Sequence, residues 1–201
     1  MIQKFVLLAV LMIVGFVQVA ATTAQVRQLE TELIGLEQFW LSPTPNQPST
    51  RFSGDQSGCP RMFTSALLKI DGVDTPVRFI NTHLDHASDE ARINGIRLVL
   101  DKINRFGGLP AVIMGDFNAE EGSETYNAVT EHFLDARYEA RETMDSYTFQ
   151  SWGDMEKACR IDYFMLSKTG FAVHSYQALI EPYDGIYSSD HSPIVLKISM
   201  K

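Results

Sequence analysis

The stretch that most limits how this chain can fold is Ala111-Val112-Ile113-Met114, followed at once by Gly115-Asp116-Phe117-Asn118. An apolar run bounded by Pro110 on one side and a glycine on the other is the pattern of a short buried strand. The Asp and the Asn are then delivered to the open end of that strand, a usual place for chemistry.

The neighbouring segments build a frame around this strand. Met62 to Ile70 and Pro76 to Thr82 are strand-like runs joined by Asp71-Gly72-Val73-Asp74, which predicts a hairpin. Ser88, Asp89 and Glu90 open a helix in which Ile93, Ile96, Leu100 and Ile103 recur at helical spacing until Gly107-Gly108. Strand, helix, strand in that order is a βαβ unit with parallel strands. Its geometry predicts that His83-Leu84-Asp85-His86 and Asp116-Phe117-Asn118 emerge along one sheet edge.

Further along, a second helix is expected from Ser123 to Phe133, and the charged, aperiodic stretch Arg137 to Lys157 reads as a loop. Arg160 to Leu166 and Phe171 to Leu179 read as strands, Glu181 to Ser189 as a loop, and Pro193 to Ser199 as a closing strand. If that last strand is antiparallel, it brings Asp190-His191 to the same edge. Near the start, Leu33 to Ser42 is mixed, and Pro43 to Ser57 is a Pro/Ser/Asn/Gly-rich loop.

A chain of 201 residues that is 45% hydrophobic can build one domain with a substantial core, expected over residues 25–201. Its 17 Lys and Arg against 25 Asp and Glu give a net charge of -8, so there is no general basic footprint for gripping a polyanion. A phosphate substrate then has to be held locally, by a metal ion and a few groups. Residues 1–24 stand apart: Lys4, the apolar run Phe5 to Val17, and small residues at Val19-Ala20-Ala21 or Thr22-Thr23-Ala24 form the pattern of a secretory signal peptide. The alternatives are an uncleaved anchor or a buried strand. Secretion would place Cys59 and Cys159 in an oxidising space, where one disulfide or two buried thiols are both open.

The polar clusters share one composition: Asn81, His83, Asp85 and His86; Asp116 and Asn118; Asp162; Asp190 and His191. Carboxylates and a carboxamide are hard oxygen ligands suited to Mg2+ or Mn2+. Phosphoester hydrolysis needs such an ion, a carboxylate or His to activate water, and neutral donors for the developing charge. Asp162 sits inside the apolar run Ile161 to Leu166, where an unpaired carboxylate is costly, so it needs a partner. His191 is the natural one and Arg160 the structural alternative. Glu120, Glu121 and the charges around Arg141 read as solvated.

Four motifs in order, Asn81-Thr82-His83-Leu84-Asp85-His86, Gly115-Asp116-Phe117-Asn118, Arg160-Ile161-Asp162-Tyr163 and Ser189-Asp190-His191-Ser192-Pro193, resemble the endonuclease/exonuclease/phosphatase superfamily with its deoxyribonuclease I-like fold. Phe39-Trp40-Leu41-Ser42-Pro43-Thr44-Pro45 and Arg61 resemble one branch of it. The resemblance implies a four-layered α/β sandwich and a magnesium-assisted in-line attack of water on a phosphoester. It implies that Asp116 orients or activates the water, that Asn118 binds phosphate or metal, and that His83 bonds the phosphoryl oxygens. Asp190 would help Asp116 and Asn118 hold the metal, and His191, held by Asp162, would act as base or transition-state donor. Asp85 and Arg92 match the branch without an assigned role.

The family pattern also has an N-terminal strand carrying an Asn and a Gly-Leu-Gln-Glu segment whose Glu is a principal metal ligand. Here Gly35-Leu36-Glu37-Gln38 is superficially similar, but it abuts Phe39-Trp40, so Glu37 is not expected to be that ligand. The resulting reading is a secreted, metal-dependent phosphoesterase lacking the N-terminal portion of the domain. Its substrate is a phosphoester: nucleic acid, sugar phosphate or lipid head group. The alternative is a catalytically inactive binding protein, or a truncated gene product, of the same fold.

Overall fold

The computed structural model describes residues 6–13, 16–18, 31–48, 50–52, 54–144 and 146–201. In chain order the strands and α-helices are β1 (Val6–Ile13), β2 (Phe16–Gln18), β3 (Thr31–Trp40), β4 (Met62–Ile70), β5 (Val77–His83), α1 (Asp89–Arg105), β6 (Ala111–Asp116), α2 (Glu124–Thr130), β7 (Phe133–Asp135), α3 (Ala136–Glu139), β8 (Glu142–Thr143), β9 (Asp162–Ser167), β10 (Phe171–Ala178) and β11 (Ile194–Met200). They form a six-stranded sheet, β3-β4-β5-β6-β9-β7, and a five-stranded sheet, β2-β1-β11-β10-β8.

The βαβ unit is present. β5 and β6 are parallel neighbours, with Thr82 opposite Gly115 and His83 opposite Asp116. α1 crosses between them. Ser88 caps it by accepting from the Ala91 amide at 3.2 Å, and Asp89 and Glu90 in the first turn suit its positive end. Its stripe of Ile93, Ile96, Val99, Leu100 and Ile103 is buried on the outer face of the six-stranded sheet, against Ile80, Ile113, Tyr163 and Met165. Each buried aliphatic side chain there contributes roughly 1.5–3 kcal/mol.

The second core lies between the sheets, where Val77, Phe79, Val112, Met114, Phe164 and Leu166 meet Phe171, Val173, Tyr176, Ile194, Leu196 and Ile198. This is an α/β sandwich, and the described residues supply three of its layers: helices, six-stranded sheet, five-stranded sheet. β6 is buried along its whole length because a core covers each face. Side-chain alternation then positions the site. On β5 the residues facing the second sheet continue from Phe79 through Asn81 to His83. On β6 they continue from Met114 to Asp116, and on β9 they run back from Phe164 to Asp162. All three rows end in a polar residue at the same sheet edge.

Several expectations need correction. The second helix stops at Thr130, and Phe133 already belongs to strand β7, where it fills the core. The stretch from Arg137 to Lys157, expected to be a loop, holds most of α3, strand β8 and two short 3-10 turns at Ser151–Gly153 and Met155–Lys157. These elements are too short to show a period, and tertiary packing fixes them. Glu121 is not a free solvated charge: it accepts from Arg137 at 3.0 Å, and from Arg160 and Tyr138. Arg160 is not the partner of Asp162; its guanidinium makes a two-pronged pair with Asp135 at 2.7 and 2.9 Å.

Cys59 and Cys159 are free thiols, the first exposed. The apolar run of the N-terminal segment supplies β1, which pairs antiparallel with β11 from Val6↔Ile198 to Val10↔Ile194. The two small-residue stretches expected to be cleavage sites lie outside the described residues. Among the described residues, no helix is long and apolar enough to cross a membrane.

Candidate active site

Gly115 decides how closely β5 and β6 approach at the site. Its φ is +138°, and a Cβ there would fall 1.8 Å from the Thr82 carbonyl oxygen, so no other residue fits. The close approach sets His83 beside Asp116, with Nε2 3.2 Å from Oδ2. On the other flank β9 is antiparallel to β6, and Asp162 stands directly opposite Asp116. Two carboxylates, with side chains only 6% and 3% exposed, therefore share one end of the sheet.

His191 reaches this pair from the segment just before β11. Its Nδ1 lies 2.8 Å from Asp162 Oδ2 and its Nε2 3.8 Å from Asp116 Oδ2. Ligand atoms of Asp116, Asp162 and His191 all lie within 4.8 Å of one another. Asn118, at φ +48°, clamps the arrangement: its backbone N donates to Asp116 Oδ1 at 2.7 Å, and its Nδ2 donates to Leu84 O at 3.1 Å and to Asp116 Oδ2 at 3.3 Å. Asn tolerates this left-handed backbone better than most residues.

Burial, and then the charge of Asp162, push the Asp116 carboxyl up to about 7, against the hydrogen bond from Asn118. Burial opposes charge on His191, but the hydrogen bond and charge of Asp162, helped by Asp116 and Asp190, outweigh it and raise the imidazole to about 9. His83 moves the other way, to about 4, through burial and the positive neighbours Arg61, His191 and His86. Near neutral pH these shifts favour a charged His191 and a neutral His83, and they oppose full charge on both carboxylates at once.

Of the residues expected from sequence, the structure gathers His83, Asp116, Asn118, Asp162 and His191. Asp190 is adjacent in the chain and acts electrostatically on His191, but it is not among the three whose ligand atoms cluster. Its carboxylate accepts from Ser189 Oγ at 3.4 Å. Glu37 lies on β3, about half exposed, with its carboxylate 3.6 Å from Arg78. The donor set fits a hard divalent cation on one structural ground: Asp162 Oδ1 is buried with no hydrogen-bond partner, beside a second carboxylate that its charge disfavours.

The supporting residues Thr148 and Gln150 were not expected. Thr148 Oγ1 accepts from the Ile161 and Asp162 amides at 3.1 and 3.0 Å, and Gln150 Nε2 donates to Ser189 O at 2.7 Å. Phe149, between them, packs its ring edge-on against His191 at 5.1 Å. The alternation Tyr147-Thr148-Phe149-Gln150, within the charged stretch Arg137 to Lys157, is the local signal that points to them. Asp85 is a buried hub that accepts from Ser57, from Ala87 N at 3.0 Å and from Ser88 N at 2.9 Å.

Paired carboxylates flanked by two histidines at the mouth of an α/β sandwich are the equipment of a phosphoester hydrolase. The chain belongs to the Endonuclease/Exonuclease/phosphatase family, whose model matches residues 35–191. Among solved structures, it is similar to a functionally unknown conserved protein from Enterococcus faecalis V583 at 33% identity, covering 85% of this chain and 68% of that one with a TM-score of 0.77. It is also similar to an endonuclease/exonuclease/phosphatase from Bacteroides vulgatus, at 29% identity, 85% and 67% coverage and a TM-score of 0.76. A mannosyl-6-phosphatase from Bacteroides thetaiotaomicron VPI-5482 aligns at 27% identity, 85% and 67% coverage and a TM-score of 0.74. The chain thus spans about two thirds of each of these structures. No curated protein matches.

Proposed function

We propose that the protein is a metal-dependent phosphoesterase that hydrolyses its substrate by in-line attack of an activated water. The observation that carries the reading is the buried Asp116–Asp162 pair, flanked by His83 and His191. Asp116 and the unpartnered oxygen of Asp162 are the groups to hold a magnesium or manganese ion, with Asn118 and Asp190 as supporting donors. Such an ion supplies charge neutralisation on the phosphoryl oxygens.

The chain's own residues have distinct tasks. Asp116, fixed by the Asn118 amide and 3.2 Å from His83, is placed to orient the attacking water and take up its proton. His83 is neutral and offers a donor to a phosphoryl oxygen. His191 is charged and stabilises the extra negative charge of the transition state, while Asp162 holds its ring and Phe149 braces it. Asn118 fixes the Asp116 carboxylate so that little reorganisation is left to the reaction step.

A small phosphorylated substrate such as a sugar phosphate is favoured over duplex nucleic acid. The chain is acidic, and the relative that is a mannosyl-6-phosphatase aligns along most of it. Secretion is proposed on the pattern of residues 1–24 alone; N-terminal sequencing of protein recovered outside the cell tests it. For the activity, turnover of p-nitrophenyl phosphate and of bis-p-nitrophenyl phosphate is measured with magnesium, with manganese and after chelation. The reading requires metal-dependent turnover that Asp116→Ala abolishes, and turnover unaffected by Asp116→Ala would overturn it.

A further inference from the structure

We propose that Gln150 is the positioning residue for His191: its buried side chain and its backbone fix the two peptide carbonyls that lead into the histidine. This rests on the phosphoesterase reading, in which His191 meets the developing charge. Gln150 is 1% exposed. Its Nε2 donates to Ser189 O at 2.7 Å, its backbone N donates to Asp190 O at 2.9 Å, and the next amide, Ser151 N, donates to that same oxygen at 3.2 Å. On the far side of His191, Ser192 N donates to Thr148 O at 2.7 Å. The backbone of His191 is therefore held before and after the ring by one short segment, Thr148 to Ser151.

The same segment holds the other half of the pair. Thr148 Oγ1 accepts from the Ile161 and Asp162 amides, and Phe149 forms a β-bridge with His191 while its ring meets the imidazole edge-on. Asp162 opens β9 of one sheet, whereas His191 leads into β11 of the other, so neither sheet's ladder by itself sets the distance between them. Thr148 to Ser151 touches both, and the 2.8 Å contact of His191 Nδ1 with Asp162 Oδ2 follows from those bonds.

The turn that follows shows how firmly Gln150 is itself held. Ser151, Trp152 and Gly153 have φ of +48°, +62° and +92°, three left-handed residues in succession, two of them carrying a Cβ. Such a turn persists only where its surroundings over-determine it. Gln150 does this, because Gly153 N donates to both Gln150 O and Gln150 Oε1, each at 2.9 Å. With Oε1 turned to an N–H, Nε2 is left facing Ser189 O, so the amide has one orientation and both of its ends are used. A glutamine locked in this way leaves the Ser189 and Asp190 carbonyls little freedom. A shift of about 1 Å in the group they carry is enough to lose much of the rate.

The test uses the full chain with Gln150→Ala and Gln150→Glu, each checked for folding by circular dichroism. Glu keeps an oxygen for Gly153 N but removes the donor to Ser189 O, so it spares the turn and breaks the link to His191. Two quantities are read. One is the downfield proton resonance of His191 Nδ1 on Asp162, assigned by its absence in His191→Gln; the other is the pair kcat and KM on p-nitrophenyl phosphate. In both variants the resonance should be lost or move upfield, and kcat should fall about 10–100-fold while KM changes less than about threefold. A folded variant that keeps the wild-type resonance would overturn the proposal, since a residue that only caps the turn leaves the Asp162–His191 bond untouched. If Gln150→Ala does not fold, Gln150→Glu alone decides. A resonance that depends on Gln150, in a chain whose wild type does not hydrolyse the ester, would support the positioning role and count against the phosphoesterase reading instead.

Discussion

His191 Nδ1 lies 2.8 Å from Asp162 Oδ2, although 29 positions separate the two residues in the chain. The pair joins the start of β9 in one sheet to the segment leading into β11 in the other, so this sheet edge is closed across the sandwich. Arg160, two residues before Asp162, is committed to Asp135 instead.

Asp162→Asn should therefore uncouple His191. Without the carboxylate, burial dominates, and the imidazole should fall from about 9 to or below its ordinary value of 6.5. Proton NMR titration of the His191 ring reads this directly. Turnover should drop on the order of 10²–10⁴-fold near neutral pH, as expected for losing an orienting carboxylate. A titration midpoint that stays near 9 would mean that Asp162 is not what holds the charge. The same shift bears on stability: the contribution of His191 is full below 6.5 and is lost as pH rises through about 9.

Gly115→Ala is expected to be among the most damaging single-methyl changes in the chain. The added carbon meets the Thr82 carbonyl oxygen at 1.8 Å, and the φ of +138° is strained for any residue with a Cβ. The loss should be at least about 3 kcal/mol in urea unfolding. Variants that do fold should show β5 and β6 pushed apart at His83 and Asp116, and a fall in turnover with them. A change under about 0.5 kcal/mol would show that this close approach does not constrain the site.

How much of this was legible follows from the range of the forces involved. The α1 stripe, the β6 apolar run and the polar residues that end β5 and β6 are local patterns, and the βαβ rule converts them into one sheet edge. The Asp162–His191 pair was legible because an aspartate inside Ile161 to Leu166 has to be satisfied. What was not legible depends on tertiary context. α3 and β8 are four and two residues long, below any period. Glu121 looks like a surface acid until the fold brings Arg160, 39 positions away, onto it. The Asp85 hub needs Ser57, 28 positions before it, and nothing local announces that contact.

Asp135→Asn tests the buried cluster behind the site. The Arg160 side chain is 6% exposed and its guanidinium lies 4.6 Å from the Tyr163 ring centre, so the positive charge is held almost entirely by Asp135 and Glu121. Removing the Asp135 charge leaves a buried cation half-compensated, and should cost about 3 kcal/mol by chemical denaturation. Glu121→Gln, at a carboxylate 32% exposed, should cost less. The reverse order would place the main counter-charge on Glu121.

Asp85 predicts how the protein responds to acid. Burial alone would raise its carboxyl, but hydrogen bonds from Ser57, Ser88 and Ala87 outweigh it and hold the group at about 2, below its ordinary 3.8. A depressed carboxyl stabilises the fold fully above 3.8, and that contribution is lost as pH falls through about 2. Its size is about 2 kcal/mol. Asp85→Asn should thus be less stable than wild type at pH 7 by at least this amount, because Ser57, Ala87 and Ser88 also lose their anionic acceptor. The gap should narrow between pH 4 and pH 2 as the wild-type carboxyl takes up its proton. Urea unfolding of both proteins across that range measures the gap. A difference that stays constant down to pH 2 would mean that Asp85 holds the Ser57 loop by shape rather than by charge.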